Sequence, residues 1–376
     1  MTSSIIPLYK QTDKVIIKAK DCYIYDSNNK QYIDFESGDW AANLGHSNER
    51  ISQILKNQSE LLIHDGLRFR NIQSEELSNK LLEKLSFKDG KSTFLNSGSE
   101  AVNLAITIAK NLTRRNKILK MDCSFLSAYG HGQISPDNSN LESISTDNID
   151  SISQINFQEI AAFIFEPGNA WGLIKYPTNK FISSIASAIK QNGGLLIANE
   201  VTTGFGRTGK WFGFQHYDYK PDIVSVGKGL GNGYPISGVS ITKEIADLFD
   251  GSPFRYAQSH QNDPLGCAVG LEVISIFDND RLIEKSYKTG QYFNEHLLKL
   301  QANHKEKIYE IRARGLMISL VFHSCINTEN IYLQLIDHGM LVGQKDNVLR
   351  FMPPLIIEEF HIDKLISTID KIITGS

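Results

Sequence analysis

The chain has 376 residues, enough for two or three domains at roughly 150 residues each, and a chain of this size buries about three-quarters of the surface it exposes when unfolded. Hydrophobic residues make up 41%, charged residues 22%, and the net charge is −3, an ordinary balance for a soluble enzyme that gives no electrostatic case for binding nucleic acid. No apolar run approaches the ~20 residues of a membrane span, and the start, MTSSIIPLYK, lacks the charged-then-apolar pattern of a signal peptide. Cys22, Cys123, Cys267 and Cys325 are widely spaced and form no CxxC pair, which suggests neither disulfides nor a metal site and fits a cytoplasmic protein.

Residues 1–20 carry no clear pattern. Cys22 to Phe35, CYIYDSNNKQYIDF, alternates around Asp26-Ser27-Asn28-Asn29 and predicts a hairpin. Residues 47–90 read as helical, with amphipathic runs such as ISQILKNQSELL and SEELSNKLLEKLSF. A brief strand, Thr93-Phe94-Leu95, precedes NSGSEAVNLAITIAK, where Ala101, Val102, Ala105, Ile106 and Ala109 form one helical stripe. The Ser97-Gly98-Ser99 turn therefore opens a helix, whose unpaired N–H groups and positive dipole end suit an anion; a plain N-cap is the alternative. Residues 136–156 are polar and weakly patterned. Ala161–Phe165 predicts a strand ending at Glu166-Pro167-Gly168, and residues 177–192 predict a helix closed by Gly193-Gly194.

The stretch 195–241 dominates the chain. Leu195-Leu196-Ile197-Ala198 reads as a buried strand ending in Asn199-Glu200. Ile223-Val224-Ser225-Val226 reads as another, ending in Gly227-Lys228-Gly229. In open α/β sheets ligands sit at the carboxyl ends of strands. Glycines on both sides let another molecule approach the backbone there, and a partly desolvated amine can attack a carbonyl to form a Schiff base. A surface lysine between two core strands is the blander alternative. Beyond it, residues 267–300 read as helical, a strand lies around Leu316–Phe322, and LVGQKDNVLRFMPPLIIEEF follows.

The motifs TGFGRTGKWFGFQHY, PDIV and GKGLGNGYP resemble the lysine region of the class III aminotransferases, the family of acetylornithine and ornithine aminotransferases and glutamate-1-semialdehyde aminomutase. The similarity runs from about Tyr23 to Phe360. It implies fold type I: a mostly parallel central sheet in a large cofactor-binding domain, residues 47–265, and a smaller α+β domain from residues 1–46 plus 266–376. It also implies pyridoxal 5′-phosphate held by Lys228, and a homodimer with shared active sites.

Residue by residue, the resemblance places Gly98 and Ser99 on the cofactor phosphate. Phe125 falls where an aromatic stacks on the ring, with Tyr129 as a competitor. Ser259 falls near a threonine that reaches the neighbouring subunit's phosphate, with Gln258 and His260 as rivals. Trp40 stands in a segment that borders the substrate channel, although a core or interface role is equally open. Arg350 is the candidate for a substrate carboxylate, with a surface arginine as the alternative. His46, Arg207, His216 and Tyr217 read as structural, Arg207 also as interfacial.

Four positions depart from the family pattern. Asn199 replaces the aspartate that pairs with the ring nitrogen, so it brings no charge; it is expected to donate an N–H to an unprotonated nitrogen, with acceptance from a protonated one as the alternative. Thr202 replaces a glutamine near the phenolic oxygen. Ala128 and Trp171 replace an arginine and an acid used by members that turn over glutamate; Trp171 can instead wall the pocket or pack in the core. The expected activity is amino transfer between a small amine or amino acid and a carbonyl acceptor, not optimised for glutamate and 2-oxoglutarate. An aminomutase or epimerase, a lyase, or a non-catalytic binding protein are the alternatives, and Lys228 argues against the last.

Overall fold

The computed structural model describes residues 4–6, 8–9, 12–135, 137–169, 173–249 and 252–375. Its strands in chain order are β1 (Ile16–Lys20), β2 (Tyr23–Asp26), β3 (Gln31–Asp34), β4 (Lys91–Leu95), β5 (Lys117–Met121), β6 (Leu141–Ile144), β7 (Ile160–Phe165), β8 (Leu195–Asn199), β9 (Ile223–Val226), β10 (Ser237–Ile241), β11 (Ile308–Arg314), β12 (Met317–Phe322), β13 (Met340–Leu341), β14 (Gly343–Lys345) and β15 (Val348–Phe351). A seven-stranded sheet has the order β4-β10-β9-β8-β7-β5-β6. Only β10 runs against its neighbours; the other pairings in that sheet are parallel.

Helices cover both faces of this sheet, which is why its central strands are continuous apolar runs. Side chains alternate across the pleat. Ala162, Ile164 and Ile197 face the helix Gly98–Thr113, whose stripe Ala101, Val102, Ala105, Ile106 and Ala109 is fully buried. Phe163, Phe165, Leu196 and Ala198 pack with Phe181, Ile182, Ile185 and Ile189 of the helix Asn179–Gln191 on the opposite face. Full burial of each such aliphatic or aromatic side chain contributes roughly 1.5–3 kcal/mol.

Two four-stranded sheets stand apart from the large one. The N-terminal hairpin forms β1-β2-β3, extended by β13 in parallel to β3; β11-β12-β15-β14 is antiparallel throughout. Eight of the fifteen strands, β1, β5, β6, β10, β11, β13, β14 and β15, were not expected from the sequence. β1 (IIKAK) is half exposed, and β6 (LESI) is an edge strand with one neighbour, so neither needs an apolar run. The helical segment after residue 264 divides into Pro264–Asn279 and Leu282–Asn303, and the first packs on the helices Glu49–Leu61 and Ile72–Leu85.

Candidate active site

The parallel strands deliver the site residues to one edge. Gly98 follows β4, Phe125 follows β5, Glu166 follows β7, Asn199 ends β8 and Lys228 follows β9. Register keeps the last three together: Phe165 pairs with Ala198, and Asn199 with Ser225. The carboxyl ends of parallel strands, where ligands sit in open α/β sheets, thus lie side by side.

Lys228 sits in the left-handed region with φ 42°, an uncommon conformation for a non-glycine residue. Its neighbours explain the glycines of the motif: a Cβ on Gly229 would lie 2.6 Å from Asn43 Nδ2, and one on Gly231 2.0 Å from the Tyr234 carbonyl. Lys228 Nζ donates to Thr202 Oγ1 at 3.3 Å and lies 4.0 Å from the centre of the Trp40 ring. Burial brings its amine down from 10.5 to about 8, with the charge of Arg350 acting in the same sense and Asp39, Glu166 and Glu36 opposing. At pH 7 roughly a tenth of such an amine is neutral and nucleophilic, against a negligible fraction for an ordinary lysine.

The anion-binding turn is formed by a complete capping box. Ser97 Oγ accepts from Glu100 N at 3.2 Å, while Glu100 Oε2 accepts from Ser97 N and Asn96 N at 2.9 and 2.8 Å. The cap leaves the next N–H groups, those of Gly98 and Ser99, without a bonded acceptor among the described residues. Gly98 is pressed against Val201, whose Cγ1 would lie 2.6 Å from an added Cβ. Ser99 Oγ accepts from Ala128 N at 3.0 Å, which ties the loop after β5 to the turn.

Asn199 is 4% exposed and its amide is oriented by two backbone groups. Val201 N donates to Oδ1 at 3.2 Å, and Nδ2 donates to the Phe125 carbonyl at 3.4 Å. The oxygen is engaged, so the group left to face a ligand is an N–H donor. Phe125 is bracketed from its other side by Glu166, whose Oε2 accepts its N–H at 3.0 Å. Burial pushes the Glu166 carboxyl up to about 8, against the Phe125 N–H and the charge of Lys228. Sequence reading quoted Glu166 but assigned it no role.

On the far wall Ser37 to Trp40 form a left-handed turn, with φ of 44°, 58°, 61° and 69°. Three of these residues are not glycine, and each costs roughly 1–2 kcal/mol in this region. Asp34 holds the turn by accepting from Glu36 N and Gly38 N at 2.7 and 3.1 Å, with His46 Nε2 2.7 Å from its other side. Ser37 Oγ donates to the Met352 carbonyl at 2.7 Å. Arg207, fully buried, donates to Ser37 Oγ, Asn43 Oδ1 and the carbonyls of Leu316 and Pro353. The turn places Trp40 beside Lys228 and also beside Arg350, whose Cζ lies 4.5 Å from the ring centre. Arg350 is paired with Glu36, Nε–Oε1 at 3.1 Å and Nη2–Oε2 at 2.7 Å, and Trp40 Nε1 donates to Glu36 Oε2 at 3.1 Å. Glu36 escaped sequence reading, since nothing local marks an acid whose partner lies 314 residues away.

Lys228 therefore touches Thr202 and Trp40, Trp40 touches Arg350, and Asn199 touches Phe125 at the same edge of the sheet, with Gly98 at the helix start against Val201. Ser259 does not join them within one chain: it is exposed, while its neighbour Gln258 donates to Glu100 Oε1 at 3.0 Å. Trp171 lies outside the described residues.

The aminotransferase class-III family profile matches residues 8–135 and 126–373, nearly the whole chain. The chain belongs to the class III aminotransferases. It is 31% identical to the acetylornithine aminotransferase of Aquifex aeolicus over 97% of this chain and 98% of that one, and 31% identical to the ornithine aminotransferase of Oceanobacillus iheyensis over 96% and 94%. Among solved structures, the acetylornithine aminotransferase of Elizabethkingia anophelis superposes with a TM-score of 0.86 at 27% identity, covering 98% of this chain and 96% of that chain. The fold is thus that of the fold type I pyridoxal-phosphate aminotransferases, and pyridoxal phosphate is the cofactor. The residues of this aminotransferase fit that group: a buried amine of lowered pKa for the aldehyde, a capped helix start offering N–H groups for the phosphate, and a buried amide donor for the ring nitrogen.

Proposed function

We propose that this pyridoxal-phosphate-dependent aminotransferase moves an amino group from a small amine or amino acid to a carbonyl acceptor less acidic than 2-oxoglutarate, with Lys228 as its catalytic residue. Bound in the pocket, pyridoxal phosphate supplies an electrophilic carbonyl and a ring that draws electrons from the substrate's Cα. Lys228 would hold it through Nζ, and the neutral form of that amine would take the proton from the substrate's Cα. Thr202 orients that Nζ through the 3.3 Å hydrogen bond. Gly98 and Ser99 would bind the phosphate through their N–H groups, Asn199 would donate to the ring nitrogen, and Phe125 would cover a face of the ring. Trp40 walls the substrate space and excludes water from the amine. Ala128 offers no cation for a second carboxylate, which supports weak use of glutamate.

A second copy of the chain completes the site in this reading, bringing Ser259 to the phosphate. The exposed apolar row Leu61, Ile63, Leu67, Phe69 and Ile72 supports such an interface. No helix among the described residues is long and apolar enough to cross a membrane. Isomerase or lyase chemistry is the second reading, and the neutral Asn199 amide favours it, because a less electron-drawing ring leaves more charge on Cα.

The buried, partly neutral Lys228 amine at the end of β9 carries the assignment. Borohydride reduction of the reconstituted protein, followed by peptide mapping, is expected to fix the cofactor on Lys228 and to give no adduct in Lys228→Ala. A label on another lysine would overturn it.

A further inference from the structure

The Arg350–Glu36 pair is built into the frame. Gly343 stands opposite Arg350 in the β14–β15 register, and a Cβ there would lie 2.6 Å from both Arg350 Nη2 and Glu36 Oε1. The pair occupies the volume that any other side chain at 343 would take. Glu36 cannot swing away freely, because its backbone N–H is bonded to Asp34 and its carboxylate to the Trp40 indole. The left-handed turn that follows is pinned by Met352 and Arg207. A strained backbone held this firmly is characteristic of a functional site.

Charge makes the consequence specific. A ligand carboxylate seeking Arg350 competes with a carboxylate already tethered there in bidentate geometry, and a tether gives an effective concentration in the millimolar range or above. Asp39, three residues beyond Glu36, also acts electrostatically on Lys228. A ligand end that is uncharged meets the Trp40 face without that competition.

We propose that Glu36 is a specificity-determining residue: by capping Arg350 it makes the pocket prefer amines and carbonyl compounds whose end facing Trp40 carries no carboxylate. This rests on the reading of the Lys228 pocket as the active site. It changes the part expected of Arg350, from receiving a substrate carboxylate to being neutralised by a residue of its own chain.

The test compares glutarate with its uncharged isostere glutaramide on the cofactor-reconstituted protein, by calorimetric titration. The wild type is expected to bind glutarate no better than glutaramide. Glu36→Gln keeps an acceptor for the Trp40 N–H while removing the charge. It is expected to bind glutarate roughly ten- to a hundredfold more tightly than the wild type, the scale of one hydrogen bond to a charged group, with glutaramide unchanged. Glu36→Ala is expected to show the same gain without an amide in place. Equal glutarate binding in wild type and variants, or a variant that shifts both ligands alike, overturns the proposal. Borohydride labelling of the same samples separates the two failures. A label on Lys228 without the glutarate gain sinks only the cap, whereas no label in the wild type sinks the active-site reading.

Discussion

Replacing Lys228 by methionine should make the cofactor-free protein more stable. Burial and the charge of Arg350 bring the Lys228 amine from 10.5 down to about 8. Each pH unit of that difference is about 1.4 kcal/mol, so holding the ammonium in the pocket costs about 3 kcal/mol at neutral pH. The Trp40 face, 4.0 Å from Nζ, returns about 1 kcal/mol as a cation–π contact, leaving about 2 kcal/mol that methionine, flexible and uncharged, does not incur. For a chain of 376 residues this corresponds to roughly 2–3 °C in Tm. The sign follows from linkage. Between pH 8 and 10.5 the unfolded chain keeps the proton that the folded one has released, so wild-type stability rises with pH there. The advantage of Lys228→Met is therefore constant below pH 8 and gone near 10.5. Calorimetric scans of both apoproteins at pH 7, 8, 9 and 10, at one scan rate and protein concentration, measure it. A variant less stable than wild type at pH 7, or a gap that does not narrow above pH 8, would refute the electrostatic reasoning.

Asn199→Asp keeps the acceptor for Val201 N but replaces the amide donor proposed for the ring nitrogen with a carboxylate. The absorption spectrum of the reconstituted variant is expected to shift and its amino-transfer rate to rise; unchanged spectra and rates would mean that Asn199 does not face that nitrogen. Arg207→Met strips the donor from four acceptors in the core. It is expected to cost about 3 kcal/mol or more, lowering Tm by several degrees and weakening ligands that pack on Trp40; a Tm within a degree of wild type would refute the role.

Much of this molecule was legible in the chain because the relevant signals are local. β7, β8 and β9 read as strands since a sheet covered on both faces demands unbroken apolar runs. Lys228 was conspicuous because of the glycines around it, where a Cβ at 229 would meet Asn43 and one at 231 the Tyr234 carbonyl. The stripe on Gly98–Thr113 repeats every three and four residues, and the serine-glycine turn before it marks a helix start. What the tertiary structure alone decided are the pairings no local period can encode. Glu36 meets Arg350 across 314 positions of sequence. Arg207 gathers acceptors from segments that surround it only after the sheets have closed. Trp40 reaches both cations because three non-glycine residues are forced through a left-handed turn, a conformation that sequence disfavours and that the surrounding hydrogen bonds impose. Hydrophobic spacing specifies which face of an element is buried; which charge then confronts which is settled by the docking of elements far apart in the chain.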